Sequence, residues 1–377
     1  MAIILNQNQT LSLKERFLNL NFAFIGIICL LGLLGCFILY SAAGANINPW
    51  ALNQAIRFLM GLFIMLIASM IRPEIYYKLS TPFYIFTLIL LVIVDVAGYT
   101  GMGAKRWIDL GFFKLQPSEL MKIAVVLELA RYFSQTPIST TRTIKGIIKP
   151  IIIAFTPIAF ILLQPDLGTS LMILFTAVAL FYLAGVEWYK FACAIGGVAI
   201  LAPILWHKLH TYQQNRILTF LDPERDPYGA GYHIIQAKIA LGSGGLTGKG
   251  FLSGTQSHLN FLPEKHTDFI FTMFSEEFGM LGGVLILILN LIIISYGYWF
   301  AFRIHPSNYF GKMVILGLNT NYFLYVFINI AMVIGLLPVV GVPLPLISYG
   351  GTVIISVMSS FGIMMSFYTH RDKELKK

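Results

Sequence analysis

The chain has 377 residues, of which 57% are hydrophobic and 11% are charged, and its mean hydropathy is +0.77. Soluble domains carry about 25% charged residues, so this composition excludes a water-soluble body and predicts that lipid surrounds most of the chain. The net charge of +9 does not indicate a nucleic-acid partner, because basic residues of membrane proteins collect in cytoplasmic loops beside anionic lipid.

Apolar stretches recur along the whole chain and predict an all-α polytopic membrane protein with about ten transmembrane helices. The first stretch follows Lys14 and Arg16 and is too long for the apolar core of a cleaved signal peptide, so we expect it to remain as the first helix. The three cysteines, Cys29, Cys36 and Cys193, show no disulfide or metal-ligand spacing. The predicted spans are residues 22–42, 51–71, 80–98, 118–133, 150–163, 169–186, 191–206, 269–302, 312–340 and 351–368.

An even number of spans places both termini on the same side of the membrane. Lysine and arginine are concentrated in the segments that would be cytoplasmic with an inward N-terminus, so both termini are predicted to be cytoplasmic. The single integral membrane domain, 1–377, then has two substantial outer segments, 99–117 and a long extracytoplasmic loop at about 207–267. Residues 232–241 within the long loop have helical apolar spacing, and no strand pattern is apparent in the chain.

Charged residues inside the spans are costly and are therefore candidates for function. Arg57 and Asp95 fall near the outer ends of their helices, and pairing with each other would satisfy both. Glu119 and Lys122 lie three residues apart near the outer end of the fourth span, so they share one face of that helix. They form either a structural ion pair or part of a site at the membrane surface.

Asp268 ends the long outer loop, in the sequence FLPEKHTDFIF, and opens the eighth span. A carboxylate in this place either caps the free N–H groups of the helix or acts as a general base or metal ligand at the water–lipid boundary. The glycine cluster at 242–250 does not match a phosphate-binding loop, because Lys249 is followed by Gly250 rather than by Ser or Thr. We interpret this cluster as a flexible hinge.

A series of sequence blocks occurs in one order between Gly103 and Gly351. Together they resemble the SEDS family of shape, elongation, division and sporulation proteins, and FLPEKHTDFIF and the terminal THR are most similar to its rod-elongation members. The blocks are GAKRWIDLG, QPSEL, QPDLGT, RILTFLDPERDPYGAGYHIIQAKIALGSGG, FLPEKHTDFIF and GVPLPLISYGG.

The resemblance implies a ten-helix peptidoglycan glycosyltransferase that polymerises lipid II for cell-wall elongation and rod shape in the bacterial cytoplasmic membrane. It also implies a class B penicillin-binding protein, a transpeptidase, as partner. The essential aspartate of the family matches Asp268, which makes Asp268 the expected catalytic residue. The substrate-binding residues that the resemblance implies are Lys105, Arg106, Trp107, Glu119 and Lys122.

The chemistry of lipid II agrees with these residues, since lipid II carries a polyprenyl tail, a diphosphate and a disaccharide-peptide. Lys105, Arg106 and Lys122 suit the diphosphate, and Asp268 suits activation of a sugar hydroxyl. A divalent cation, Mg²⁺ or Mn²⁺, bound by Asp268 or Glu119 would neutralise the leaving group, and no organic cofactor is expected. A lipid II flippase or transporter is the main alternative function, and a non-catalytic scaffold for the wall machinery is a third.

Overall fold

The computed structural model describes residues 11–101, 104–109, 111, 114–208, 211–226, 230–259, 261 and 264–371, and it is mostly helical. Each of the ten predicted spans corresponds to a helix. In chain order the helices are α1 (Leu13–Leu18), α2 (Phe22–Ala42), α3 (Trp50–Met70), α4 (Pro73–Ala97), α5 (Pro117–Gln135), α6 (Ile138–Thr141), α7 (Ile144–Leu163), α8 (Leu167–Leu183), α9 (Trp188–Lys208), α10 (Thr211–Leu221), α11 (Ala230–Ser243), α12 (Thr255–His258), α13 (Ile270–Arg303), α14 (Tyr309–Val333) and α15 (Gly351–Thr369).

Among the described residues, seven helices are long and apolar enough to cross a membrane, namely α2, α3, α4, α7, α13, α14 and α15. Helices α8 and α9 contribute shorter apolar stretches. Helix α5 carries Glu119, Lys122, Glu128 and Arg131, which lower its hydropathy, yet most of its residues are buried within the bundle. The chain is therefore a multi-pass membrane protein, and the burial of Glu119 and Lys122 in the bundle allows α5 to be more polar than the helices around it.

The centre of the bundle is formed by α14 and α15. Their most apolar windows are 72% buried, whereas the corresponding window of α4 is 22% buried and its remainder faces outward. Helix α14 packs against α5, α8, α13 and α15. A polar side chain on α14 therefore lies inside the protein, where it needs a hydrogen-bond partner.

A small antiparallel sheet is formed between α4 and α5, in the segment 99–117, where no strands were predicted. Its strands are β1 (Tyr99–Gly101), β2 (Ala104–Asp109) and β3 (Lys114–Leu115), in the order β1-β2-β3. Thr100 pairs with Lys105, and Ile108 pairs with Leu115. The prediction that this segment lacks strands is wrong, because strands this short contain too few residues for alternation to be recognised.

The ninth predicted span is too long at its C-terminal end. Helix α14 ends at Val333, and Gly335 follows with φ of +79°. A residue with left-handed backbone after the last turn terminates a helix, and Pro338 cannot extend it. Residues 334–350 consequently form an irregular segment between α14 and α15, which we call the α14–α15 segment.

The long second loop contains helices, and the predicted helix at 232–241 is confirmed within α11. The glycine cluster that follows α11 is not a free hinge, because backbone hydrogen bonds anchor it to α13. Lys249 N–H donates to the Glu276 carbonyl at 3.1 Å, and Met280 N–H donates to the Gly245 carbonyl at 2.9 Å. Helix α13 is interrupted at Gly279, which has φ of +67° and ψ of −165°. The carbonyl groups just before this interruption and the N–H groups just after it are therefore available to bond with the loop.

We expect Gly279→Ala to destabilise the protein by about 1–3 kcal/mol or more, because this backbone conformation is essentially restricted to glycine. A methyl group at this position would also overlap the backbone nitrogen of Gly248. Gly196→Ala in α9 is the matched control, since nothing lies within 4 Å of its added methyl group. Thermal unfolding in detergent measures both, and equal midpoints for the two variants would show that the interruption of α13 is dispensable.

Candidate active site

The buried cluster around Glu119 and Lys122 joins three helices. Pro117, with no N–H to satisfy, begins α5, and Lys122 Nζ lies 2.7 Å from Glu119 Oε1 one turn later. The Tyr325 hydroxyl of α14 donates to Glu119 and accepts from Lys122. Ser356 Oγ of α15 donates to Glu119 Oε2 at 2.9 Å. The ion pair that the sequence left open is therefore formed, and α14 and α15 hold it in place.

This cluster lies beneath the protein surface. Glu119 and Lys122 are each 3% exposed, and the Lys122 ammonium lies 4.1 Å from the centroid of the Tyr325 ring. Two charges are tolerated here because each has the other and further hydrogen bonds as compensation. At this burial Lys122 contacts protein groups rather than a lipid headgroup.

Asp268 lies in the turn immediately before α13. The helix begins at Ile270 and its N-cap residue is Phe269, so Asp268 is not the capping residue. Asp268 Oδ2 lies 3.6 Å from the position that a β-carbon on Gly341 would occupy, and Gly341 has φ of +73°. The carboxylate therefore faces the α14–α15 segment at a point where a glycine leaves room beside it.

Asn329 of α14 connects Asp268 to the core. Its Nδ2 donates to the Asp268 carbonyl at 3.0 Å and to the Val342 carbonyl at 2.7 Å, while its buried Oδ1 has no hydrogen-bond partner among the described residues. Tyr325 and Asn329 are four residues apart, so they share one face of α14 about 6 Å apart along its axis. Helix α14 thus links the Glu119–Lys122 cluster to Asp268. Sequence reasoning missed both residues, although polar side chains four residues apart in an apolar span are a usable signal.

The α14–α15 segment is fastened to the chain just before Asp268. Ser348 Oγ donates to the Thr267 carbonyl at 2.7 Å, and Tyr349 N–H donates to the His266 carbonyl at 2.9 Å. The His266 ring stacks on Trp50 of α3 with centroids 4.4 Å apart. The backbone that presents Asp268 is therefore held by α3, by α14 and by the α14–α15 segment.

The Lys-Arg-Trp sequence lies on β2, where its three side chains have different environments. Arg106 Nε donates to the Gln164 carbonyl at 3.0 Å, and its Nη2 donates to the Pro165 carbonyl. Arg106 therefore binds the sheet to the end of α7. Lys105 is exposed and Trp107 is half-buried, so Lys105 is the cation of the three that faces outward.

The predicted pairing of Arg57 with Asp95 is wrong, since the two form no ion pair although both lie within the described residues. The Arg57 guanidinium instead lies 4.5 Å from the centroid of the Tyr349 ring. The sequence could not show this, because a contact between α3 and an irregular segment nearly 300 residues later depends on how the bundle is assembled.

No group of three or more His, Cys, Asp or Glu residues suited to a metal ion occurs in the part of the chain that the structure describes. A magnesium ion that also binds substrate phosphates needs only one or two carboxylates from the protein. Asp268 supplies such a carboxylate, and the unpartnered amide Oδ1 of Asn329, which binds the Asp268 backbone through its Nδ2, is a further oxygen ligand. Glu119 fits it less well, because Lys122, Tyr325 and Ser356 already occupy its oxygens.

Comparisons with known proteins agree with the resemblance seen in the sequence blocks. The chain is 46% identical over 348 residues to the peptidoglycan glycosyltransferase MrdB of Escherichia coli K12, covering 92% of this chain and 93% of the relative. It is 36% identical over 324 residues to the protein of the same name from Helicobacter pylori 26695, covering 85% of this chain and 84% of that one.

Solved structures show the same fold. A chain of a peptidoglycan synthase complex, described as coordinating polymerization and crosslinking, matches with a TM-score of 0.81 at 27% identity and covers 93% of this chain and 98% of that one. The rod shape determining protein RodA of Thermus thermophilus matches with a TM-score of 0.70 at 24% identity, covering 95% and 98% of the two chains. The model of the FtsW/RodA/SpoVE family, described as cell cycle protein, matches residues 19–373. The chain therefore belongs to the FtsW/RodA/SpoVE family.

Proposed function

We propose that this chain is a peptidoglycan glycosyltransferase that polymerises lipid II into glycan strands for cell-wall elongation and rod shape. The observation that carries the proposal is the placement of Asp268 where the long loop enters the bundle, with its backbone carbonyl bound by Asn329 and its carboxylate facing the α14–α15 segment. The identity of 46% with a protein named for this activity supports the same conclusion.

Asp268 is the general base of the proposed reaction. Its carboxylate takes the proton from the 4-hydroxyl of one lipid-linked sugar, and the hydroxyl oxygen attacks the anomeric carbon of another. The bond from that carbon to the diphosphate breaks, and polyprenyl diphosphate leaves. An α-linked donor gives a β-linked product, so a single displacement inverts the anomeric carbon. A divalent cation, when bound, neutralises charge on the departing diphosphate.

Lys105 and the Glu119–Lys122 cluster have different roles in this proposal. Lys105, exposed on β2, attracts the diphosphate, while Arg106 fixes the sheet that carries it. The burial of Lys122 favours an indirect role, in which the cluster holds Tyr325 and thereby the face of α14 that supports Asp268. Both termini are cytoplasmic in this arrangement, and Asp268 lies at the outer face of the cytoplasmic membrane.

The proposal is tested with purified protein in detergent supplied with labelled lipid II. A polymerase needs neither a sealed bilayer nor a gradient, so glycan strands are expected on gels under these conditions. A lipid II flippase, suggested by buried charges within a multi-helix bundle, would instead move lipid II across vesicles without elongating it. That outcome would replace the proposal by its alternative.

We expect polymerisation to require a divalent cation, because the diphosphate leaving group faces few cationic side chains. Treatment with EDTA should abolish strand formation, and Mg²⁺ or Mn²⁺ should restore it. Binding of Mn²⁺, followed by electron paramagnetic resonance with polyprenyl diphosphate present, is expected to weaken in Asn329→Leu, which removes the unpartnered Oδ1. Full activity after thorough chelation would contradict the requirement.

We also expect a stable partner of the class B penicillin-binding protein type. A glycan strand closes a wall only after peptide cross-linking, and one similar chain belongs to a complex that couples polymerization with crosslinking. Crosslinking in native membranes, followed by mass spectrometry, is expected to recover a single-span transpeptidase. Its consistent absence, with the membrane protein itself recovered, would count against the partnership.

A further inference from the structure

Arg57 is an intramembrane cation that the proposed mechanism does not use. It lies on the face of α3 that packs against the chain around α15, between Gln54, which donates to the Ser348 carbonyl, and Gly61, which contacts Met358. Among the described residues its guanidinium makes no ion pair and no hydrogen bond. A charge within a membrane-spanning helix is normally compensated by a partner, so the compensating group must come from a ligand.

The surroundings of Arg57, within the part of the chain that the structure describes, supply no paired negative charge. The guanidinium lies over the Tyr349 ring and within 3.3 Å of the position that a β-carbon on Gly351 would occupy. The neighbouring His266 ring lies in the same stack, against Trp50 on one side and Tyr349 on the other. Arg57, which is always protonated, carries the permanent charge of the stack formed by Trp50, His266, Tyr349 and Arg57.

This stack adjoins the segment that presents Asp268. The Tyr349 ring lies beneath Arg57, and the N–H of Tyr349 is bound to the His266 carbonyl, two residues before Asp268. The other intramembrane cation of the site, Lys122, is already neutralised by Glu119 at 2.7 Å. Arg57 is thus a cation that no described carboxylate compensates, close to the candidate catalytic residue.

We propose that Arg57 binds the diphosphate of a lipid-linked substrate beside Asp268, an inference that rests on the proposed polymerase function. Joining two lipid-linked sugars brings two diphosphates to one site, and each requires a cation in the membrane. A guanidinium binds phosphate oxygens through two parallel N–H groups, and stacking on an aromatic ring keeps its plane fixed. Lys105 and Arg57 then serve the two diphosphates from β2 and α3.

The test measures binding of a polyprenyl diphosphate to purified protein by native mass spectrometry. Arg57→Gln is expected to weaken binding about ten- to a hundredfold, the effect of losing a charged hydrogen-bonded contact. Arg57→Lys, which retains charge but loses the paired N–H geometry, should bind with intermediate affinity. Arg72→Gln, the same substitution at an exposed position at the start of α4, is the control and should bind normally.

Unchanged affinity in a folded Arg57→Gln protein would overturn the proposal. The proposal would also be overturned if Arg57→Gln lost binding to phosphatidylglycerol nanodiscs but kept its affinity for the polyprenyl diphosphate, because Arg57 would then contact bilayer headgroups. A photoactivatable polyprenyl diphosphate on the unaltered protein provides a second measurement, expected to label α3 or the chain near Tyr349, and labelling confined to other helices would contradict it. Binding is scored without polymerisation, so a protein that binds the probe but makes no glycan would refute the polymerase function and not this site.

Discussion

Asp268→Asn is expected to lower glycan polymerisation by at least about a hundredfold while the protein stays folded, because general base catalysis contributes roughly 10²–10⁴-fold. The amide preserves the size of the side chain and cannot accept the hydroxyl proton. The hydrogen bond from Asn329 goes to the Asp268 carbonyl, so the backbone contact that positions this residue survives the substitution. Thermal unfolding in detergent should consequently remain close to that of the unaltered protein.

Asp109→Asn is the matched control for this experiment. Asp109 is an exposed carboxylate at the end of β2, and its Oδ1 accepts a hydrogen bond from Gly111 N–H that an amide oxygen also accepts. Strand yield from labelled lipid II is expected to be normal in this variant. Near-normal yield from a stably folded Asp268→Asn protein would remove Asp268 from the chemistry and leave it a structural role.

The helices were predictable from the sequence for a physical reason, and the same reason made Asp268 a candidate. Backbone groups in lipid must bond within their own segment, so a long apolar stretch such as that of α2 has one stable outcome, and its bounds matched the prediction. Asp268 was noticeable because placing a carboxylate at the edge of an apolar stretch is energetically unfavourable, which makes such a residue a candidate for function. Local features of the sequence therefore sufficed to predict the helices, and they singled out Asp268 as a candidate site residue.

The contacts around Asp268 depend on assembly and were not predictable in the same way. Arg57 has Tyr349 as its neighbour rather than Asp95, and only the packing of α3 against α15 decides between them. The interruption of α13 at Gly279 lies within a single predicted span, 269–302, and its backbone partners lie in the loop before it. The composition of a segment predicts that it forms a helix, but the partners of its polar side chains depend on how the helices pack in the bundle.

The Glu119–Lys122 pair provides the second large effect. Glu119→Gln or Lys122→Met alone is expected to destabilise the protein by about 3–5 kcal/mol, because each leaves an uncompensated charge in the core. Combining the two removes both charges, so thermal stability should largely return. The coupling between the sites is obtained from this cycle of single and double variants, scored by thermal unfolding and by strand yield in parallel.

Polymerisation is expected to stay low in the double variant even though stability recovers. The two substituted side chains would no longer hold the Tyr325 hydroxyl between a carboxylate and an ammonium, and Tyr325 lies one helical turn from Asn329, which binds the Asp268 carbonyl. Tyr325→Phe tests this step separately, since it leaves the ion pair intact and should lower strand yield more than stability. Recovery of polymerisation in the double variant would show that the pair only supports the fold. Its failure with restored stability would instead place the charges themselves in the machinery that orients Asp268.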